Sequence, residues 1–215
     1  MATNMKHLFA TMLCLVVCLQ ASRAQNAVEN IRQRYNAMKE LIANHSGEAD
    51  TSGADYGAFY HLTGTFNLPA TGGHTEDTYL YFEDEEDPTE EKIYLPHRLT
   101  FATTRYNFAA RVYYEEYLYD VDGKVAFIYA YDPMTTLEGD EQDMEYEFRF
   151  YMEKGRVVKG IIRRKNYDEE AFHDVWQGTR LPEKYTQLHK SFMGNAAQLA
   201  ELFNDIEKRT YNYAE

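Results

Sequence analysis

The sequence predicts an α+β fold, in which an antiparallel meander sheet of six to eight strands is packed by an N-terminal helix and by C-terminal helices. Near both ends of the chain, apolar residues recur every three or four positions, as in a helix. Between the ends they recur every second position, as in a strand, and turn-forming residues interrupt the alternation. With 215 residues, 44% of them hydrophobic, the chain is long enough to bury one core.

Residues 1–24 are predicted to be a signal peptide, which leaves residues 25–215 as a single α+β domain. Lys6 precedes an apolar run over residues 8–19, and small residues then form a cleavage site before Gln25. Because a membrane-spanning helix needs about 20 apolar residues, this run is too short to be one. We therefore expect an exported protein, periplasmic or secreted, with no transmembrane helix in the mature chain.

Both cysteines, Cys14 and Cys18, lie inside this first segment. Residues 15–18 resemble the processing motif of bacterial lipoproteins, although Val17 stands where that motif usually has a small residue. A lipid anchor on Cys18 is therefore an alternative to soluble export. Cleavage after Ala24 would leave a mature domain without cysteine, which excludes disulfides and thiol catalysis there.

The first predicted element is a helix over residues 25–43, with Arg32 and Lys39 on its polar side. A polar loop follows, and the alternation of apolar residues then predicts strands separated by turns and an acidic loop. The loop is placed at residues 44–57, the strands at 58–68, 78–83, 93–95 and 97–108, and the acidic loop at 83–91.

Two hairpins follow, with Asp122-Gly123 and Lys154-Gly155 as two-residue turns in which both residues adopt positive φ. The predicted partners in the first hairpin are Leu118–Phe127, Glu116–Tyr129, Tyr114–Tyr131, Tyr117–Ile128 and Tyr119–Ala126. Those in the second are Met152–Val157, Phe148–Ile161, Glu153–Arg156, Glu145–Arg164 and Glu147–Ile162.

These hairpins, within residues 111–165, resemble the Tyr-rich β-hairpins of uncharacterised exported proteins of Gram-negative bacteria. The resemblance rests on the Tyr-x-Tyr-Asp-x-Asp-Gly-Lys and Phe-Tyr-x-x-x-Gly-Arg segments. It implies export and no particular activity.

From residue 168 the pattern predicts helices again. One short apolar stripe covers residues 171–176, and a second segment runs from Leu181 to a break at Gly194. Asn195 is then predicted to be the N-cap of a last helix. We expect the helices at both ends of the chain to cover the same sheet face, leaving the other face rich in tyrosine and partly exposed to water.

The charge balance excludes some partners. The chain has 35 acidic and 22 basic residues, a net charge of −13, whereas nucleic acids and anionic membrane surfaces attract clustered Lys and Arg. We expect no nucleic-acid partner. The sequence contains no His-Glu-x-x-His, Gly-x-Ser-x-Gly or Walker motif, and Asp120–Gly123 is explained by a turn, so no metal, cofactor or catalytic residue is assigned.

One carboxylate offers an enzymatic alternative. Glu116 is predicted to lie among aromatic residues opposite Tyr129, where desolvation would raise the pKa of the carboxyl group, as in general acids. An acid-base hydrolase with glycosidase-like carboxylates would use Glu116 and a second, unidentified carboxylate. The structural alternative is a hydrogen bond from Tyr129 to Glu116, or exposure of Glu116 on the wet face.

Tyrosine is the most distinctive part of the composition, with 19 residues. Tyrosine suits amphipathic strands, but it also offers rigid contact area for a ligand. The sequence therefore predicts a non-catalytic binding protein for a protein, a glycan or a small apolar ligand, or alternatively a carrier of a lipid or another apolar ligand. The ligand and the oligomeric state stay open. The candidate binding residues are Tyr79, Tyr81, Tyr113, Tyr117, Tyr119 and Tyr151.

Overall fold

A computed structural model describes residues 25–43, 58–85 and 96–211. The predicted signal peptide, both cysteines, the polar loop 44–57, most of the acidic loop and the predicted strand at 93–95 lie outside these residues. Helix α1 covers residues 25–43. It is followed by β1 Ala58–Leu68, β2 Gly72–Asp84, β3 His97–Phe108, β4 Arg111–Tyr119, β5 Val125–Thr135, β6 Met144–Glu153, β7 Arg156–Lys165, β8 His173–Gly178 and α2 Glu183–Tyr211.

The strands form one eight-stranded sheet in the order β1 to β8, and each strand pairs antiparallel with its neighbour in the chain. The predicted α+β meander is therefore confirmed, at the upper end of the expected strand number. Within the described ranges, no helix is long and apolar enough to cross a bilayer.

The two helices cover opposite faces of the sheet. We call the face that packs against Val28 and Ile31 the α1 face, and the face that packs against Tyr185, Phe192 and Phe203 the α2 face. The expectation that both helices cover one face is therefore wrong. The physical reason is that the central strands carry apolar side chains on both faces, and each apolar face must pack against another element.

Two pairs of adjacent residues in the central strands show that both faces are covered. Tyr117 faces α2 and Leu118 faces α1, while Ile128 faces α2 and Phe127 faces α1. All four side chains are at most 3% exposed. An amphipathic sheet with one wet face would leave one member of each pair in water.

The C-terminal part differs from the prediction in two places. Residues 173–178 form strand β8, paired with β7, where a short helix was expected. Trp176 in β8 packs over Gly160 in β7, which has no side chain to displace it. The apolar spacing in residues 171–176 fits a helical turn equally well, and the pairing with the sheet edge decides between the two.

Helix α2 continues through Gly194 and Asn195, where a break was expected. Asn195 is not an N-cap; its side-chain amide donates to Glu115 on β4, with the Nδ2 to Oε2 distance at 3.0 Å. Phe192 and Ala196 on either side are buried against the sheet. This packing outweighs the cost of a glycine inside a helix, about 1 kcal/mol.

The first hairpin keeps the predicted partners for Glu116, Tyr117 and Leu118, but Tyr119 pairs with Val125 instead of Ala126. A bulge between Leu118 and Tyr119 causes this shift. Of the two turn residues expected to have positive φ, Gly123 alone does, at 71°. The bulge adds one residue to β5, and the connection between β4 and β5 is longer than the two-residue turn that was predicted.

The second hairpin has the predicted turn, since Lys154 and Gly155 both have positive φ, at 51° and 75°. The pairs Met152–Val157 and Glu153–Arg156 are confirmed. A bulge between Tyr151 and Met152 moves the earlier partners by one residue. The observed pairs are Phe148–Ile162, Glu147–Arg163 and Glu145–Lys165, so the predicted partners Ile161, Ile162 and Arg164 are wrong.

Candidate functional site

The six candidate tyrosines do not form one surface. Tyr79, Tyr81 and Tyr151 belong to the α1 face. Tyr117 and Tyr119 belong to the core beneath α2. Tyr113 precedes Tyr117 on β4 by an even number of residues, so its side chain lies on the same face as that of Tyr117. The predicted single Tyr-rich face is therefore wrong, because Leu80 and Tyr117 both oppose Ala102, which places Tyr79 and Tyr81 on the other side of the sheet.

Four of the six are buried: Tyr81 and Tyr151, 8% and 6% exposed, on the α1 face, and Tyr117 and Tyr119 on the α2 face. Tyr117 and Tyr119 are 0% and 1% exposed. The Tyr119 hydroxyl donates to the Ala196 carbonyl in α2 at 2.8 Å, and the Tyr117 hydroxyl donates to the Glu115 carboxylate. A ligand would reach these rings only if α2 moved away from the sheet.

The tyrosines of β2 form an aromatic row on the α1 face. Tyr79 stacks on His61 with ring centroids 4.0 Å apart, and Tyr79 and Tyr81 are 6.2 Å apart. Phe59, 46% exposed, lies 5.5 Å from Tyr81. This row lies toward the β1 edge of the sheet.

An open cleft of about 550 Å³ lies between α1 and the sheet. This is within the range of about 300–1,000 Å³ that is typical of small-molecule sites. Helix α1 contributes residues spaced by three and four, which lie along one side of a helix. Strands β5 and β6 contribute two directly opposed pairs, Phe127–Tyr151 and Tyr129–Arg149. The complete lining is Arg32, Tyr35, Asn36, Lys39, Phe127, Tyr129, Arg149 and Tyr151.

The floor of the cleft is aromatic. The ring of Phe127 is 4.8 Å from that of Tyr151 and 4.8 Å from that of Tyr35, which meets it edge-on. The Arg149 guanidinium lies 5.3 Å from the Tyr129 ring centre, and that of Arg32 lies 5.4 Å from the Tyr151 ring centre. Both distances are within the range of cation–π attraction.

The charged groups of the lining are all cationic: Arg32, Lys39 and Arg149. Lys39 Nζ is 2.5 Å from Glu116 Oε1, and Arg149 is 3.1 Å from Glu147. Arg32 Nε donates to the Tyr151 hydroxyl at 3.3 Å, and this hydrogen bond is the main cause that raises the pKa of Arg32. No carboxylate among the described residues forms an ion pair with Arg32.

Glu116 lies beneath one side of this cleft and is 1% exposed. It accepts hydrogen bonds from the Tyr35 hydroxyl, from the Tyr114 hydroxyl at 2.6 Å and from Lys39. The predicted position of Glu116 among aromatic residues is confirmed, and the alternative in which it is exposed is wrong. The alternative hydrogen bond from Tyr129 is also wrong, since Tyr129 donates to Glu147 at 3.1 Å. Glu116 thus connects α1 to β4. The pKa of the Tyr35 hydroxyl is raised, mainly because the hydroxyl is buried and secondly because of the negative charge of Glu116.

The site residues that sequence reasoning missed are Arg32, Tyr35, Asn36, Lys39, Phe127, Tyr129 and Arg149. The periodicity of α1 places Arg32 and Lys39 on its polar side, and in the structure both line the cleft. Their spacing with Tyr35 and Asn36 was a visible signal, but the sheet residues facing them are more than 80 positions away in the chain.

Two further observations complete the description. Among residues 25–43, 58–85 and 96–211, no group of three His, Cys, Asp or Glu side chains is arranged to hold a metal ion. Comparisons of the chain with protein-family models, with curated proteins and with solved structures found no match.

Proposed function

We propose that this protein is an exported, non-catalytic binding protein whose ligand site is the cleft between α1 and the sheet. The observation that carries the proposal is an open cleft of about 550 Å³ whose floor is aromatic and whose charged lining residues are all cationic. Of the six candidate tyrosines, Tyr151 lines this cleft, and Tyr79 and Tyr81 belong to the same sheet face.

The composition of α1 supports a role beyond packing. Val28 and Ile31, in its first half, are 7% and 5% exposed and pack on the sheet as ordinary core residues. Further along the helix, Tyr35, Met38 and Ile42 continue this packing, while Asn36 and Lys39 border the cleft beside them.

The position of Glu116 favours binding over hydrolysis. A general acid must reach the substrate atom that it protonates. Glu116 is 1% exposed and its carboxylate is held by three donors. In this proposal Glu116 positions α1, and binding depends on the residues that line the cleft.

The proposal is tested by binding of aromatic probes to the mature chain. We expect 8-anilinonaphthalene-1-sulfonate, 2-naphthoate or 2-naphthylmethanol to bind with a stoichiometry of one, followed by fluorescence or calorimetry. Replacing Tyr151→Ser should weaken this binding severalfold, because it removes a ring that lines the cleft and the surface over which Arg32 lies.

The matched control is Tyr113→Ser, which removes a candidate tyrosine on the opposite face. It should leave the affinity unchanged, while circular dichroism and urea unfolding confirm that both variants fold. Failure of all three probes to bind at one site, or equal weakening by the two variants, would contradict the proposal.

A further inference from the structure

We propose that the ligand of this cleft is a small organic acid, whose anionic group binds Arg32 and Arg149 while its apolar body lies on the aromatic floor. This inference rests on the proposed function and adds the chemical class of the ligand. It follows from three features of the cleft: its charge, the terminal nitrogens of Arg32, which form no salt bridge with a described residue, and the position of the rings.

The charge of the cleft is opposite to that of the protein. The chain carries 35 acidic and 22 basic residues, yet the cleft lining contains three cationic side chains and no acidic one. Clefts lined by one sign of charge concentrate the field and attract the opposite ion. This arrangement favours a small anion, since a long polyanion would extend beyond the cleft over a protein whose net charge is −13.

Of the three cations, Arg32 is the one without a salt bridge among the described residues, although Glu29 on the same helix attracts it at longer range. Lys39 is neutralised by Glu116, and Arg149 by Glu147. Glu147 also pairs with Arg163 at 3.2 Å, and Arg163 in turn lies 3.3 Å from the mostly exposed Asp174. Arg32 has no such carboxylate among the described residues; its described hydrogen bond is from Nε to Tyr151.

The geometry of Arg32 suits a carboxylate. A guanidinium has five N–H donors, and the bond from Nε to Tyr151 leaves the two terminal nitrogens for a second partner. These nitrogens form a planar fork that matches the two oxygens of a carboxylate. The contact with Tyr151 holds the side chain over that ring, so its conformational entropy is already reduced before a ligand binds.

The rings next to the guanidinium groups favour an apolar body on the ligand. Arg32 lies over Tyr151 and Arg149 lies over Tyr129, and the two arginines therefore stand beside the aromatic floor that includes Phe127. Phe127 and Tyr151 are 3% and 6% exposed, so a ligand meets only the edges of these rings, and a free inorganic anion would contact the arginines alone. An organic acid satisfies both parts of the site at once.

The test compares two probes that share a ring system and differ in charge, 2-naphthoate and 2-naphthylmethanol, by calorimetry at pH 7 and low salt. We expect 2-naphthoate to bind about tenfold more tightly, since its carboxylate accepts charge-assisted hydrogen bonds that the alcohol cannot. Added salt should weaken 2-naphthoate alone. Inorganic phosphate serves as the probe without an apolar body and should bind more weakly than 2-naphthoate.

The variants are Arg32→Gln and Arg149→Gln, with Arg156→Gln at the exposed tip of the second hairpin as the matched control. Arg32→Gln should abolish the preference for 2-naphthoate and leave 2-naphthylmethanol binding unchanged, and Arg149→Gln should reduce the preference. Arg156→Gln should change neither. Using two separate arginines keeps the test decisive if one variant fails to fold.

The outcomes separate the two proposals. Equal binding of the two naphthalene probes, or a preference that survives both Arg32→Gln and Arg149→Gln, would overturn the organic-acid ligand and leave the binding cleft standing. Tighter binding of phosphate than of 2-naphthoate would overturn the apolar body. No binding of any probe would overturn both the ligand class and the proposed function.

Discussion

At the scale of single residues, Glu116 joins α1 to the sheet. Its carboxylate receives hydrogen bonds from Tyr35 and Lys39 on α1 and from Tyr114 on β4. A carboxylate that accepts several hydrogen bonds can remain buried, because the bonds replace its hydration. The same position that makes Glu116 look like a general acid in the sequence therefore makes it a structural anchor in the fold.

Tyr35→Phe tests this anchor. We expect the free energy of unfolding to fall by about 1–3 kcal/mol, because a buried carboxylate loses one of its donors. Urea unfolding at pH 7 measures the change. Tyr167→Phe is the control, since Tyr167 is 58% exposed and its hydroxyl donates only to the Pro133 carbonyl at 3.2 Å. Equal effects of the two substitutions would refute the anchoring role.

A second buried carboxylate, Glu115, should make the free energy of unfolding depend on pH. It is 4% exposed, and burial raises the pKa of its carboxyl group, although hydrogen bonds from Tyr117 and Asn195 oppose the rise. A group whose folded pKa exceeds its ordinary value binds more protons in the native state than in the unfolded state. Its contribution to stability therefore grows as the pH falls from the raised pKa toward the ordinary value of 4.5.

Glu115→Gln should remove this dependence. We expect wild type to gain stability relative to Glu115→Gln as the pH falls from 7 to 4.5, with a constant difference below that range. Chemical denaturation at several pH values measures both proteins. Parallel stability curves for the two would contradict the assignment.

At the scale of elements, the glycine in β7 permits β8 to pair with that strand, whereas the glycine in α2 is only tolerated. A Cβ on Gly160 would lie 2.9 Å from Cη2 of Trp176 and closer still to its Cζ3, whereas a Cβ on Gly194 in α2 would meet nothing within 4 Å. The first glycine permits the pairing of β7 with β8. The second is tolerated in a helix that tertiary packing maintains.

The two glycines should respond oppositely to alanine. Gly160→Ala should destabilise the protein by about 1–3 kcal/mol and change the emission of Trp176, the single tryptophan of the chain. Gly194→Ala should stabilise it by about 0.5–1 kcal/mol, since alanine favours the helix. Thermal unfolding followed by tryptophan fluorescence reports both. An unchanged emission in Gly160→Ala would show that the ring does not occupy this position.

At the scale of the whole molecule, the sheet is the middle layer between two helices that lie far apart in the chain. Arg34 on α1 donates to the Tyr119 carbonyl at the end of β4, and the ring of Tyr119 donates through its hydroxyl to α2 on the other face. Both helices thus contact the same strand. We expect the three layers to unfold as one cooperative unit.

Ile31→Ala tests the cooperativity. Ile31 is 5% exposed, so its truncation should cost about 2–5 kcal/mol of unfolding free energy. If the layers are coupled, far-UV circular dichroism and the fluorescence of Trp176, in the β8 edge strand, should shift to the same lower urea midpoint. Separate midpoints for the two signals would show that α1 unfolds independently of the sheet.

Several features of the fold could be predicted from the sequence because they depend on neighbouring residues. The strands at Ala58–Leu68 and His97–Phe108 have the predicted bounds, and the Lys154-Gly155 turn has the predicted conformation. The bulges in the two hairpins, at Leu118/Tyr119 and Tyr151/Met152, could not be predicted. A bulge changes the partner of each residue without changing the alternation on its own strand. The predicted register was therefore correct near the turn of the second hairpin and off by one beyond it.

The candidate site was harder to predict. Tyr151 was found because of its residue type, but Arg32 and Arg149 were not, since each is an ordinary charged residue in its own element. They become a site only when α1 lies across β5 and β6. That contact joins residues 25–43 to residues 125–153, and no local pattern encodes it.

The sequence by itself determined the N-terminal helix, the antiparallel meander as far as β7 and the shortage of catalytic motifs, because periodicity and turn chemistry are local properties of the chain. Only the tertiary structure decided that the helices cover opposite faces, that Glu116 is an anchor, and that Tyr117 and Tyr119 are core while Tyr151 borders a cleft. The physical reason is that burial and charge pairing depend on contacts between distant segments. A side chain becomes part of a core or of a site according to what those contacts place against it.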